Sequence, residues 1–169
     1  MQKMDIYGVS FDLVGKQPIV LLKTADGNRF LPIWIGHPEA AAILMKLQNA
    51  SSPRPLTHDL MTEMLSQLDT QIVRVTVTEL RDNTFYAAIT LMRNGSEIEI
   101  DSRPSDAIAL AVRVEAPIFA DDGVIEESAI EFEGEEVNEE EIVSEFRSFL
   151  DSVSPEEFAV EEGEEGEGD

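Results

Sequence analysis

Asp101, Arg103, Ser105 and Asp106 fall within six consecutive positions, at the front of the stretch IDSRPSDAIALAVRVEAPIF. Two carboxylates so close together are the usual means of holding a hard divalent cation, Mg²⁺ or Mn²⁺, as phosphoryl-transfer sites do. An arginine beside a helix N-terminus aims N–H donors at a phosphate. The same residues also have a plainer use. Proline at the start of a helix loses no hydrogen bond, and Ser or Asp in the first turn accepts the orphan backbone N–H groups. A cap needs one or two polar residues and this turn supplies four, so both readings stand.

The two histidines are weighed the same way. His37 leads into Pro38, and His58 follows Thr57 in PLTHD, beside Asp59. A histidine oriented by a carboxylate is a base, but consecutive helical positions do not face each other. A solvated or capping histidine is the plainer account. With two His and no Cys in the chain, a multi-histidine zinc site cannot be assembled. Gly-rich phosphate loops, dinucleotide fingerprints and nucleophile elbows are absent, so no organic cofactor is expected.

The elements that must position these groups follow from periodicity. KMDIYGVSFDL, PIVLLKT and RFLPIWI read as strands, the last two joined by a turn at Asp26-Gly27, and PEAAAILMKLQ reads as a helix. THDLMTEMLSQL places Leu60, Met61, Met64, Leu65 and Leu68 on one helical face with Thr57 as the cap, which predicts a helix packed on the core through that face. QIVRVTVTEL alternates with Val73, Val75 and Val77 inward. TFYAAITLMR sends Phe85, Ala87, Ile89 and Leu91 inward, and Asn94-Gly95 turns the chain into SEIEID, which is read as burying Ile98 and Ile100. After the helix, APIF returns as a short buried strand. Trp34 sits at strand spacing and is read as core.

WIGHPEAAAIL and EIDSRPSDAIAL share one grammar: a strand ending in Ile, a polar turn, a proline, an acid and an Ala-rich helix. Each follows three strands. The reading is an α+β fold, a mixed and mainly antiparallel sheet packed with helices, with a suggested duplication of a three-strand-plus-helix unit. That repeat places Glu39 and Asp106 at comparable helix N-termini.

Charge is divided unevenly. Residues 1–120 hold 11 Lys/Arg and 14 Asp/Glu, whereas residues 121–169 hold one Arg and 21 acids, which together give the net −23. The organisation expected is a domain over 1–130, an acidic amphipathic helix over 131–153 and a disordered acidic tail over 154–169. In the helix segment Ile142, Val143, Phe146, Phe149 and Leu150 share a face, with Asn138 and Glu141 as a capping pair. No stretch approaches the roughly 20 apolar residues that span a bilayer, and no leader is recognised. A cytoplasmic protein without membrane association is expected. FLPIWI is apolar on both faces, which calls for cover on both sides and suggests a homodimer.

LPIWIGHPEAAAI, RPLTHDL and RPSDAIALAVR followed by PIF resemble the bifunctional nuclease domain family over about residues 3–130. The resemblance implies an α+β domain, often oligomeric, that hydrolyses DNA and RNA. By motif match its cleft-forming segments fall on Glu39, His58, Asp59, Arg103, Ser105 and Asp106. The expectation is a metal-assisted nuclease. Asp106, Arg103, Glu39 and His58 are its catalytic candidates, Arg54, Arg103 and Ser105 hold substrate, and Asp101 and Asp106 hold Mg²⁺ or Mn²⁺. Local positive charge would come from Arg54, Arg74, Arg103 and Arg113, since phosphate neutralisation drives nucleic-acid affinity. The alternative is a non-catalytic anion-binding or protein-interaction module on the same fold.

Overall fold

The structure, a computed structural model, describes residues 1–12 and 14–131. The expectations for 131–153 and 154–169 lie outside the described residues, Glu131 excepted. A first meander of β1 (Gln2–Phe11), β2 (Pro18–Thr24) and β3 (Arg29–Trp34) leads into α1 (His37–Leu47). Next comes α2 (Thr57–Gln67). A second meander, β4 (Thr70–Arg81), β5 (Thr84–Arg93) and β6 (Ser96–Ser102), leads into α3 (Pro104–Val114). The described chain closes with β7 (Ile118–Ala120), α4 (Asp122–Ser128) and β8 (Ile130–Glu131). Asn94 and Gly95 both have positive φ, 50° and 77°, which is the backbone a tight β5–β6 hairpin requires.

All eight strands form one sheet in the order β6-β5-β4-β7-β1-β2-β3-β8. The fold class is α+β, with a mixed and mostly antiparallel sheet. Only the β4–β7 pairing is parallel among the described strands. Two three-strand meanders thus flank the short β7, each followed by a helix with proline in its first turn. The α1 and α3 helices pack against each other on one face of the sheet. Val20, Leu22, Leu31 and Ile33 from the first unit meet Val75, Val77, Ala87 and Ile89 from the second, under Ile43 of α1 and Ile108 and Leu110 of α3. Burial of this cluster is what holds the two units together. Among the described residues no helix is long and apolar enough to cross a membrane.

Phe30, Leu31 and Ile33 of β3 are buried, in keeping with the cover that FLPIWI was expected to need. Three expectations are corrected here. Ile98 and Ile100 are 44% and 45% exposed. β6 is the edge strand, and α3 turns back over β5 and β4, leaving β6 uncovered. Val73 falls where the β4–β5 register shifts between Ile72 and Arg74, and Ile72 packs on the core in its place. Lastly, α2 is rolled away from its apolar face. His58 is buried, Thr62 and Leu65 are half-buried, and Leu60, Met61, Met64 and Leu68 remain exposed.

Candidate functional site

The reason for that roll lies in polar contacts at the start of α2. His58 is 7% exposed, and its Nε2 lies 2.9 Å from Oδ1 of Asp106 on α3. A carboxylate only accepts, so Nε2 donates, and in the neutral ring Nδ1 is then the acceptor. The next residue, Asp59, receives the Nε–H of Arg113 at 2.7 Å and caps its own helix by accepting the Leu56 N–H at 2.9 Å. Leu56 is therefore the N-cap position and Thr57 lies inside the helix, contrary to the capping role expected of Thr57. These hydrogen bonds hold the Asp59 carboxyl below its ordinary pKa, the Leu56 N–H first and the Arg113 guanidinium second.

Arg113 is a clamp on three helices. Besides Asp59 of α2, it donates to the Ala109 carbonyl of α3 at 2.7 Å and to the Ala42 carbonyl of α1 at 3.2 Å. Its side chain is 6% exposed. Nothing in the sequence singles out its partners, because Asp59 and Ala42 lie 54 and 71 positions away.

The turn from β6 into α3 supplies the rest. Arg103 donates from Nε to Asp106 Oδ2 at 2.8 Å and from Nη2 to Glu39 Oε1 at 3.0 Å. Asp106 foremost, then Glu39, raises the pKa of this guanidinium. Glu39 belongs to the first turn of α1, so the two helix N-termini that the sequence repeat pairs do meet, through one arginine. Neither helix has a side-chain cap at its N-cap position, which leaves first-turn N–H groups for solvent or an anion. Gly36 makes room for the arrangement: a Cβ there would lie 2.3 Å from Glu39 Oε2.

Glu39, His58, Arg103 and Asp106 thus form one hydrogen-bonded chain. The other candidates stand apart from it. Ser105 is buried at the start of α3. Arg54 is exposed in the loop before α2 and forms no ion pair among the described residues. Arg74 makes a two-pronged contact with Glu97, at 3.2 and 3.1 Å. The positive charge expected of Arg74 and Arg113 is therefore already neutralised. His37 stacks on Phe11 with 6.2 Å between ring centroids.

Asp101 is a correction of a different kind. Its neighbours Ile100 and Ser102 stand opposite Ile89 and Ala87, which line the helix-covered core face. Asp101 stands opposite Ala88 and so projects from the other face of the sheet. It does not share a site with Asp106. The oxygens of Asp106 are engaged by His58 and Arg103, and no group of three or more His, Asp or Glu able to hold a metal occurs among the described residues. This donor set does not fit Mg²⁺ or Mn²⁺ as arranged.

Comparison with known proteins supplies the remaining findings. The model of the bifunctional nuclease domain matches residues 20–133. An uncharacterized protein of Mycobacterium tuberculosis is 38% identical over 164 residues, covering 94% of this chain and 98% of that protein. Bifunctional nuclease 1 of Oryza sativa subsp. japonica is 32% identical over 103 residues, 59% of this chain. Bifunctional nuclease 1 of Arabidopsis thaliana is 31% identical over 105 residues, 60% of this chain. The matches span 31% and 32% of the two plant proteins' own lengths.

Proposed function

The chain belongs to the bifunctional nuclease domain family, and from that premise we propose that it hydrolyses phosphodiester bonds of DNA or RNA at the Glu39–Arg103–Asp106–His58 cluster. One observation carries this reading. Asp106 fixes an imidazole through one oxygen and a guanidinium through the other, and the side chain that carries the guanidinium is 65% exposed. The guanidinium donates to the non-bridging oxygens of a bound phosphodiester, where negative charge accumulates as the nucleophile arrives. Nδ1 of His58, held in its acceptor tautomer by Asp106, takes the proton of the attacking water. Glu39 keeps Arg103 oriented between the two helix starts.

Nucleic-acid association is governed by a shortage of free cations. Arg54 and Arg103 are the exposed arginines of this region, against a chain of net charge −23. Binding should therefore be weak and set by local contacts more than by long-range attraction. The test is cleavage of single- and double-stranded DNA and RNA by the purified full chain, in chelator and in added Mg²⁺ or Mn²⁺, beside Asp106→Asn. Cleavage by the wild type that falls at least tenfold in Asp106→Asn supports the proposal. Equal rates place catalysis elsewhere.

A second reading rests on a separate observation. The apolar face of α2 is exposed, and an uncovered face of that kind marks an interaction surface. On this reading the cluster is a clamp that orients α2 in a non-catalytic binding module. Absence of cleavage under all of the above conditions, with phosphate or oligonucleotide binding retained, would favour it.

A further inference from the structure

α2 turns most of its large apolar side chains outward. Leu60, Met64 and Leu68 are 51%, 56% and 54% exposed, and Leu56 and Met61 are exposed beside them. Spacing of four residues sets Leu56, Leu60, Met64 and Leu68 along one side of the helix. The core does not take this side, because His58–Asp106 and Asp59–Arg113 fix the roll of α2. Where α2 ends, beside the start of β4 and the end of α3, a groove of about 540 Å³ opens. Leu65, Ile72 and Val114 give it an apolar wall, and Ser66, Asp69 and Gln71 bring polar groups to it.

We propose that this face docks an amphipathic helix of a partner protein, one that carries leucine-type anchors on one side and lysine or arginine along its margins. This stands independently of nuclease activity. Charge selects the occupant. Residues 55–73 contain no Lys or Arg, and Arg113 is spent on Asp59. Glu63 borders the ladder beside Leu60 and Met64, Asp69 follows Leu68, and Glu115 follows Val114 at the groove. Among the described residues, Glu63, Asp69 and Glu115 form no ion pair. The margin of the apolar face is therefore negative, the complement of a basic amphipathic helix. Arg54 lies just before this run, so the basic margin is needed toward the C-terminal end of α2 and not at its start.

Apolar anchors at i, i+3, i+4 and i+7 of an incoming helix meet such a ladder, and unbranched methionines such as Met61 and Met64 adapt to them. The groove adds one more feature. An arginine of the partner can lay its methylene stem on Leu65, Ile72 and Val114 and bring its guanidinium to Asp69.

A second copy of the chain is the weaker occupant, since it would set the same acids against one another and supply no basic margin. The face of an eleven-residue helix, about 16 Å long, also falls short of the roughly 800 Å² per partner that a stable dimer buries. An anionic lipid surface is repelled by those acids. On so small an area a partner helix binds reversibly, with Kd on the order of micromolar.

The probe is a synthetic amphipathic helical peptide of leucine, lysine and arginine, titrated into the full chain beside a counterpart with glutamate in place of its basic residues. With the basic peptide the methyl signals of Met61 and Met64 should shift, while that of Met4, buried in the core, stays. Leu60→Gln with Met64→Gln replaces exposed apolar groups by a good helix former and should weaken binding at least tenfold. Asp69 has a φ of 52°, a backbone that asparagine tolerates, so Asp69→Asn should keep the fold and weaken binding at least threefold. Equal affinity in the wild type and both variants overturns the proposal and assigns the attraction to the acids of residues 132–169. Equal affinity for the glutamate counterpart, or no binding of either peptide, overturns it too. Self-association of the wild type that Leu60→Gln with Met64→Gln abolishes, with the Met61 and Met64 methyls unmoved by peptide, assigns the face to a second copy instead.

Discussion

His58 Nε2 and Asp106 Oδ1 lie 2.9 Å apart, joining the starts of α2 and α3 across 48 positions of sequence. The contact does two things at once. It selects the tautomer that leaves Nδ1 basic, and it helps set which face of α2 meets the core. Asp106→Asn keeps the size but loses the charge that both His58 and Arg103 face. It should lower cleavage at least tenfold and cost about 1–2 kcal/mol of stability, read from parallel activity and denaturant measurements. A loss of activity matched by wholesale unfolding would instead mark Asp106 as structural.

Arg103→Ala should separate binding from folding. The side chain is largely exposed, so its ion pairs contribute little to stability, under about 1 kcal/mol. Loss of one phosphate contact should weaken oligonucleotide binding and reduce its salt slope by about 1. Titration of a fluorescent oligonucleotide at several salt concentrations checks both. An unchanged slope would mean that Arg103 does not touch phosphate.

Asp59 predicts a pH dependence of stability. Its folded-state pKa is lowered, by the Leu56 N–H first and then by Arg113. A depressed carboxylate contributes stability above its unfolded pKa, and the contribution disappears as pH falls through the folded value. Asp59→Asn should therefore be less stable than wild type at pH 7, by about 0.5–1 kcal/mol given the partial exposure of the group. The two should converge in acid, below the ordinary carboxylate range. Parallel curves at every pH would remove Asp59 from the account.

Arg113→Met keeps most of the volume and removes the donors. Asp59 and the carbonyls of Ala42 and Ala109 lose their partner, and about 2–4 kcal/mol of stability should go with it. Chemical denaturation of the two proteins measures this. A change below about 0.5 kcal/mol would show that water replaces the guanidinium without penalty.

Gly36→Ala tests the fit between the first turn of α1 and Glu39. A methyl group there meets the carboxylate, which is the mobile end of its side chain, so the fold should tolerate it at a cost of about 1 kcal/mol or less. The Glu39–Arg103 contact should be displaced and activity should fall. Full activity in Gly36→Ala would show that Glu39 is dispensable.

The strands, the helices and the α+β class were legible in the sequence, because period-two and helical spacing are local properties that burial then selects. The repeat between WIGHPEAAAIL and EIDSRPSDAIAL, with the acids Glu39 and Asp106, was legible for the same reason: strand, proline and helix start are read within a dozen residues. Four of the candidate residues, Glu39, His58, Arg103 and Asp106, come together in the structure. That Arg103 bridges the two acids, and that Asp106 rather than the adjacent Asp59 orients His58, was not legible. Those contacts span 64 and 48 positions, and only the packing of α1, α2 and α3 on one sheet face brings them together. The separation of Asp101 from Asp106 was decided by strand alternation within the β5–β6 register, a tertiary fact. The face that α2 presents to the core was decided in the same way. Hydrophobic periodicity locates an apolar stripe, but two partly buried polar contacts outweigh it in setting the roll of the helix, and they leave Leu60, Met64 and Leu68 facing outward.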